Sequence, residues 1–104
     1  MAKYLLVYHG GAMPQTKAEQ EKVMQGWTSW FGSLGKAVVE PGNPVGKSTT
    51  VASNGSVVGN GGANPVSGFS IIDAKDEADA VKMAKGCPIL AGGGSVELAP
   101  VMAM

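Results

Sequence analysis

The amino-acid sequence predicts an α+β domain with the element order β-α-β-β-α-β. Three observations carry this expectation. Strand-like apolar runs occupy residues 3–9, 67–73 and 95–102, interrupted by Gly-, Pro- and Asn-containing stretches. Two stretches, 16–34 and 76–85, repeat apolar residues at helical spacing. Asn54-Gly55 joins two β-prone runs, which is a strong local hairpin signal.

The first run, KYLLVYH, sends Leu5, Val7 and His9 to one side and Tyr4, Leu6 and Tyr8 to the other. Both sides are largely apolar, so this strand belongs in the middle of a sheet. Gly10 and Gly11 end it. Pro14 and Thr16 lead into a helix in which Met24, Trp27, Phe31 and Leu34 form the apolar stripe, widened by Val23 and Trp30. Thr16 with Glu19 three residues later makes a capping box, and Gly35 is a natural C-terminal stop.

Lys36 to Glu40 reads as a short edge strand, and Pro41 to Gly46 as a turn-rich loop. STTVAS and SVV then form the hairpin. A glycine-rich stretch, 59–65, precedes VSGFSIIDA, where Phe69 and Ile71 oppose Ile72. Asp76 caps a second helix that stops at Gly86, with Val81, Ala84 and Lys85 near one side. In the last strand Val96 and Leu98 share a face, and Pro100 marks a sheet margin. The order is the ferredoxin-like pattern, a four-stranded antiparallel sheet with two helices on one face. Because both sheet faces are apolar, the other face calls for a cover, and a second copy of the chain is the economical one. The expected partner is therefore self, a homodimer through sheet faces.

The 104 residues fit one domain, with a core thin enough to gain from association. Eight Lys balance eight Asp plus Glu, and there is no arginine. Arginine is the usual bidentate reader of phosphates and guanine edges, so its absence argues against nucleic acid. One cysteine, Cys87, allows no internal disulfide, which suits a reducing compartment. The N-terminal apolar run, Tyr4 to Tyr8, is too short for a signal peptide or a membrane span. The expectation is a cytoplasmic protein that does not engage a membrane.

The blocks KYLLVYHG, WTSWFGSLGKAV, GFSIIDAKDEADAVKMAKGCP and VELAPVM, in that order, resemble the YCII-related family in its DGPF-domain branch. The resemblance spans nearly the whole chain. It implies a ferredoxin-like dimer of the dimeric α+β barrel kind. The branch signature Asp-Gly-Pro-Phe corresponds to Asn60-Gly61-Gly62-Ala63, so Asn60 stands where the family has an acid. An amide transfers no proton, and the His-Asp pair of the family has no evident match. Within the resemblance, Asn60 and Gly61 remain candidate ligand-binding positions.

His9 is the only histidine and the candidate general acid or base, at a strand end beside a Gly-Gly turn. Tyr8 is an aromatic neighbour for a bound molecule, and Trp30, flanking the helix stripe, is the tryptophan placed for a pocket or interface. Trp27 and Phe31 read as core. Asp73 is the nearest candidate partner acid, although it equally suits the turn before the second helix. Glu97 alternates with apolar neighbours and reads as facing solvent or a subunit edge. Cys87 follows a helix C-terminus and reads as a buried structural thiol. One His and one Cys cannot build a standard zinc site, and the sequence implies no cofactor. Gly46-Lys47-Ser48 lacks the first glycine of a phosphate loop, since Pro41 stands there, and it opens no helix. Two functions stay open: a small-molecule site with weak acid–base chemistry through His9, and a non-catalytic accessory or dimerisation module.

Overall fold

Strand β1 (Ala2–His9) lies at the centre of a four-stranded antiparallel sheet, between β5 (Val66–Ala74) and β6 (Ser95–Pro100), with β2 (Val38–Glu40) beyond β5. The computed structural model describes residues 2–11, 15–59, 62 and 64–103. Helix α1 (Lys17–Leu34) connects β1 to β2, and α2 (Glu77–Ala84) connects β5 to β6. A separate two-stranded ribbon, β3 (Thr50–Val51) and β4 (Val57–Val58), is inserted between β2 and β5. The strand order and directions are compatible with the ferredoxin-like arrangement. No helix among the described residues is long and apolar enough to cross a membrane.

Register and alternation sort the sheet residues onto two faces. Tyr4, Leu6 and Tyr8 stand opposite Ile72, Ser70 and Gly68 on one side, and opposite Pro100, Leu98 and Val96 on the other. This face is closed. Leu6, Ser70, Ile72 and Ala74 are fully buried, and Trp30 of α1 and Ala80 of α2 belong to the same core. Both helices therefore pack on one face, as the sequence predicts. The opposite face presents Leu5, Val7, Phe69 and Ile71, all partly exposed.

The caps form as expected. Glu19 N–H donates to Thr16 Oγ1 at 3.1 Å, while Glu19 Oε2 accepts from the Gln15 N–H at 2.7 Å. Asp76 Oδ1 accepts from the Asp79 N–H at 2.9 Å. In the ribbon, Gly55 N–H donates to Ala52 O, and Ala52 N–H to Ser56 O, both at 2.8 Å. Gly55 takes φ 87°, whereas no non-glycine residue among the described residues has positive φ. The turn is thus a three-residue connection with glycine in the left-handed position, not a two-residue Asn-Gly turn with both residues left-handed.

Two expectations about the helices change. The apolar stripe of α1 is not uniformly buried: Met24 is 68% and Val23 41% exposed, because the N-terminal half of the helix stands clear of the core. In α2 the buried residues are Ala80 and Ala84, one turn apart; of the three residues expected near one side, Ala84 is buried, Val81 is half-buried and Lys85 is exposed.

Candidate functional site

A cleft of about 620 Å³ opens between α1 and the loop following β2. Trp27 and Phe31 form its helical wall, with Val23 and Met24 at the exposed end of the stripe. Loop residues 41–44 and the start of β5 form the opposite wall, and Tyr8 lies between them. The volume falls within the range of small-molecule sites.

The local sequence explains the shape. Gly42 has φ 72°, and a Cβ there would collide with the Phe69 carbonyl, so only glycine lets the loop press against β5. A Cβ on Gly68 would already lie 3.3 Å from Tyr8 Cδ2, so glycine makes room for the ring. The Tyr8 hydroxyl donates to Ser70 Oγ at 2.7 Å, and Ser70 Oγ donates to the Pro41 carbonyl at 2.7 Å. This buried chain ties β1, β5 and the loop wall together and satisfies each hydroxyl.

The site is aromatic. Tyr8 meets Trp27 edge-on, with centroids 5.0 Å apart, and Trp27 in turn contacts Trp30 and Phe31 at 5.7 and 5.8 Å. No charged side chain is among its described lining, whose polar side chains besides Tyr8 are Gln20, Thr28, Asn43 and Ser67. Burial pushes the Tyr8 hydroxyl up to about 12, against a weaker lowering by its bond to Ser70. Tyr8 is therefore neutral at physiological pH. Cys87 lies outside this lining, is buried, and is pushed up to about 11 by desolvation, which makes it inert.

The two tryptophans divide differently from the sequence expectation: Trp30 enters the core, and Trp27, packed against the core as expected, also lines the cleft. Trp30 is 6% exposed, its Nε1–H donates to the Met83 carbonyl at 3.0 Å, and it does not line the cleft. Gly86 permits this packing, since a Cβ there would sit 3.3 Å from the Trp30 ring. Trp27 and Phe31, read as core, are partly buried and line the opening. The signal lies in a distant element: a ring that finds a backbone acceptor on α2 and a glycine just past its end is drawn into the core.

His9 is elsewhere. It points to the face opposite the helices, away from the cleft that its neighbour Tyr8 lines. Its Nε2 lies 3.0 Å from Glu97 Oε1, and its Nδ1 lies 3.0 and 3.3 Å from the carbonyls of Asn64 and Pro65. The His9 side chain is only 11% exposed, whereas that of Glu97 is 71% exposed. Every partner is an acceptor when Glu97 is ionised, so the imidazolium, which donates from both nitrogens, satisfies the set best. The Glu97 hydrogen bond is the main cause that raises the His9 pKa above its ordinary value; desolvation opposes it and the two carbonyls add to it.

The partner acid is thus Glu97 and not Asp73, which pairs with Lys3 in register at the other end of β1. Glu97 stands opposite Val7, diagonal to His9, and strand register alone brings the pair together. Asn60 and Gly61 lie outside the described residues. No group of three or more His, Cys, Asp or Glu among the described residues could hold a metal ion. No family model matches this chain, and no curated protein matches it significantly.

Proposed function

We propose that this protein binds a small, uncharged, largely aromatic or apolar molecule in the cleft between α1 and the loop 41–44, and that it does so as a homodimer joined through the open sheet face. The resemblance to the YCII-related family is part of this proposal. The carrying observation is the lining itself: Tyr8, Trp27 and Phe31 border about 620 Å³ with no charged side chain among the described lining residues. Desolvating a charged ligand there would find no counter-charge, whereas an aromatic ligand finds ring partners. His9 has no part in this reading, because it faces away from the cleft and both its nitrogens are engaged. The geometry favours binding over acid–base catalysis. The dimer rests on Leu5, Val7, Phe69 and Ile71, an apolar strip that neither helix covers.

The test is titration with a neutral fluorescent arylamine such as N-phenyl-1-naphthylamine, read by probe emission and by quenching of tryptophan. Saturable binding at one site per chain is expected. Met24→Glu, at a position 68% exposed, should leave the fold intact and weaken binding at least about tenfold by placing a carboxylate at the cleft. Absence of saturable binding, or equal binding by Met24→Glu, would overturn the proposal.

A further inference from the structure

We infer that the β3–β4 ribbon is an arm that docks on a second copy of this chain through its Val51–Val57 pair. This rests on the sheet-face dimer proposed above and assigns the residues that complete it. Val51 stands directly opposite Val57 in the ribbon, so the two side chains share one face, and they are 69% and 66% exposed. Val58, on the other face, is 48% exposed. A two-stranded ribbon is marginal by itself in water, and exposing its only paired valines adds nothing to its stability in a monomer. Docking against an apolar surface would bury both residues and order the ribbon.

The overall shape points the same way. The radius of gyration is 14.9 Å, against about 13 Å for a compact chain of this length. The molecule measures 43 × 42 × 18 Å, a plate one sheet and one helix layer thick. The ribbon belongs to a sheet of its own and shares no register with the main one.

Area identifies the occupant. Strands of 8, 9, 6 and 3 residues, about 4.8 Å apart and rising about 3.3 Å per residue, offer on the order of 400 Å² of flat face, somewhat more when counted as accessible surface. A standard interface needs about 800 Å² from each partner. The open face alone falls short, and the arm supplies apolar surface for the remainder. The chain thus carries two unpartnered apolar surfaces, a face and an arm. Two copies about a two-fold axis satisfy both at once, each arm lying against the other copy, and the assembly closes without growing into fibres.

Sedimentation equilibrium of the full chain across low- to high-micromolar concentrations tests this, with the V51T/V57T and V7K/I71K variants compared. Threonine keeps the β-branch and the ribbon propensity, and both arm positions are exposed, so the arm variant retains its fold, checked by circular dichroism. A dimeric wild type whose dissociation constant rises at least about tenfold in V51T/V57T is the expected result. Hydrogen exchange gives a second readout, with amides of residues 50–58 gaining protection as wild-type concentration rises. A monomeric wild type throughout would overturn both the arm and the sheet-face dimer. A dimer disrupted by V7K/I71K but unchanged in V51T/V57T, with no concentration-dependent protection at 50–58, would overturn the arm alone.

Discussion

The two faces of the sheet begin with similar material and finish differently. On one, Tyr4, Leu6 and Tyr8 meet Trp30 and Ala80, and the polar atoms that go inside, those of Tyr8 and Ser70, are bonded to one another and to Pro41. On the other, Leu5 and Val7 remain partly exposed, and the strand ends in His9 held by Glu97 and two carbonyls. Consecutive residues thus have pKa values raised for opposite reasons. Burial favours neutral Tyr8, whereas hydrogen bonding to Glu97 favours charged His9. The difference teaches that in a two-sided strand alternation decides the chemistry: one step along the chain separates an aromatic cleft from an ion pair.

Paired truncations in β1 put the largest effect on this comparison. Leu6→Ala removes a fully buried side chain and should cost about 2–5 kcal/mol in urea denaturation. Leu5→Ala, on the open face, should cost roughly 1 kcal/mol at low protein concentration, since a partly exposed residue loses less. If the face is covered by a second copy, the Leu5→Ala deficit should grow with concentration while that of Leu6→Ala does not. Equal costs at high dilution would mean that the two faces are not distinct. Ser70→Ala comes next. It strands the Tyr8 hydroxyl and the Pro41 carbonyl and should cost about 1–3 kcal/mol. It should also weaken probe binding, because the loop wall loses its tie to β1. Unchanged binding with lowered stability would show that the tie supports the core but not the cleft.

Much of the fold was legible because it depends on period and punctuation. The alternation in KYLLVYH, the Thr16–Glu19 and Asp76–Asp79 caps and the Asn54-Gly55 turn are local signals, and each occurs where the sequence places it. The site was less legible because it depends on what one element meets in another. Ala80 and Ala84 lack the bulk that marks a stripe, yet their smallness lets α2 lie close to the sheet. Trp27 and Trp30 are separated by Gly86 and the Met83 carbonyl, which are more than 50 positions away. The His9–Glu97 pair spans 88 residues and follows only from strand order and register.

The smallest expected effect concerns the open face, and its sign follows from the His9 partners. Folding raises the His9 pKa above the ordinary 6.5, chiefly through Glu97. The stabilisation is therefore fully present below about pH 6.5, where the unfolded histidine is also protonated, and is lost as pH climbs through the raised folded value. Among the described residues Glu97 is the one charged group bonded to the ring, and the carbonyls of Asn64 and Pro65 do not titrate. Because the Glu97 side chain is 71% exposed, solvent screens the pair, and the contribution should stay below about 1 kcal/mol. Proton NMR titration of His9 should give a value above 6.5 in the wild type and a lower one in Glu97→Gln, which keeps an acceptor but removes the charge. The wild type should lose slightly more stability than Glu97→Gln between mildly acidic and mildly alkaline pH. Tyr8 should not respond to the Glu97 change, because it lies on the other face and is governed by burial and Ser70. A shift in the Tyr8 titration in Glu97→Gln would couple the two faces and end the distinction between cleft and ion pair.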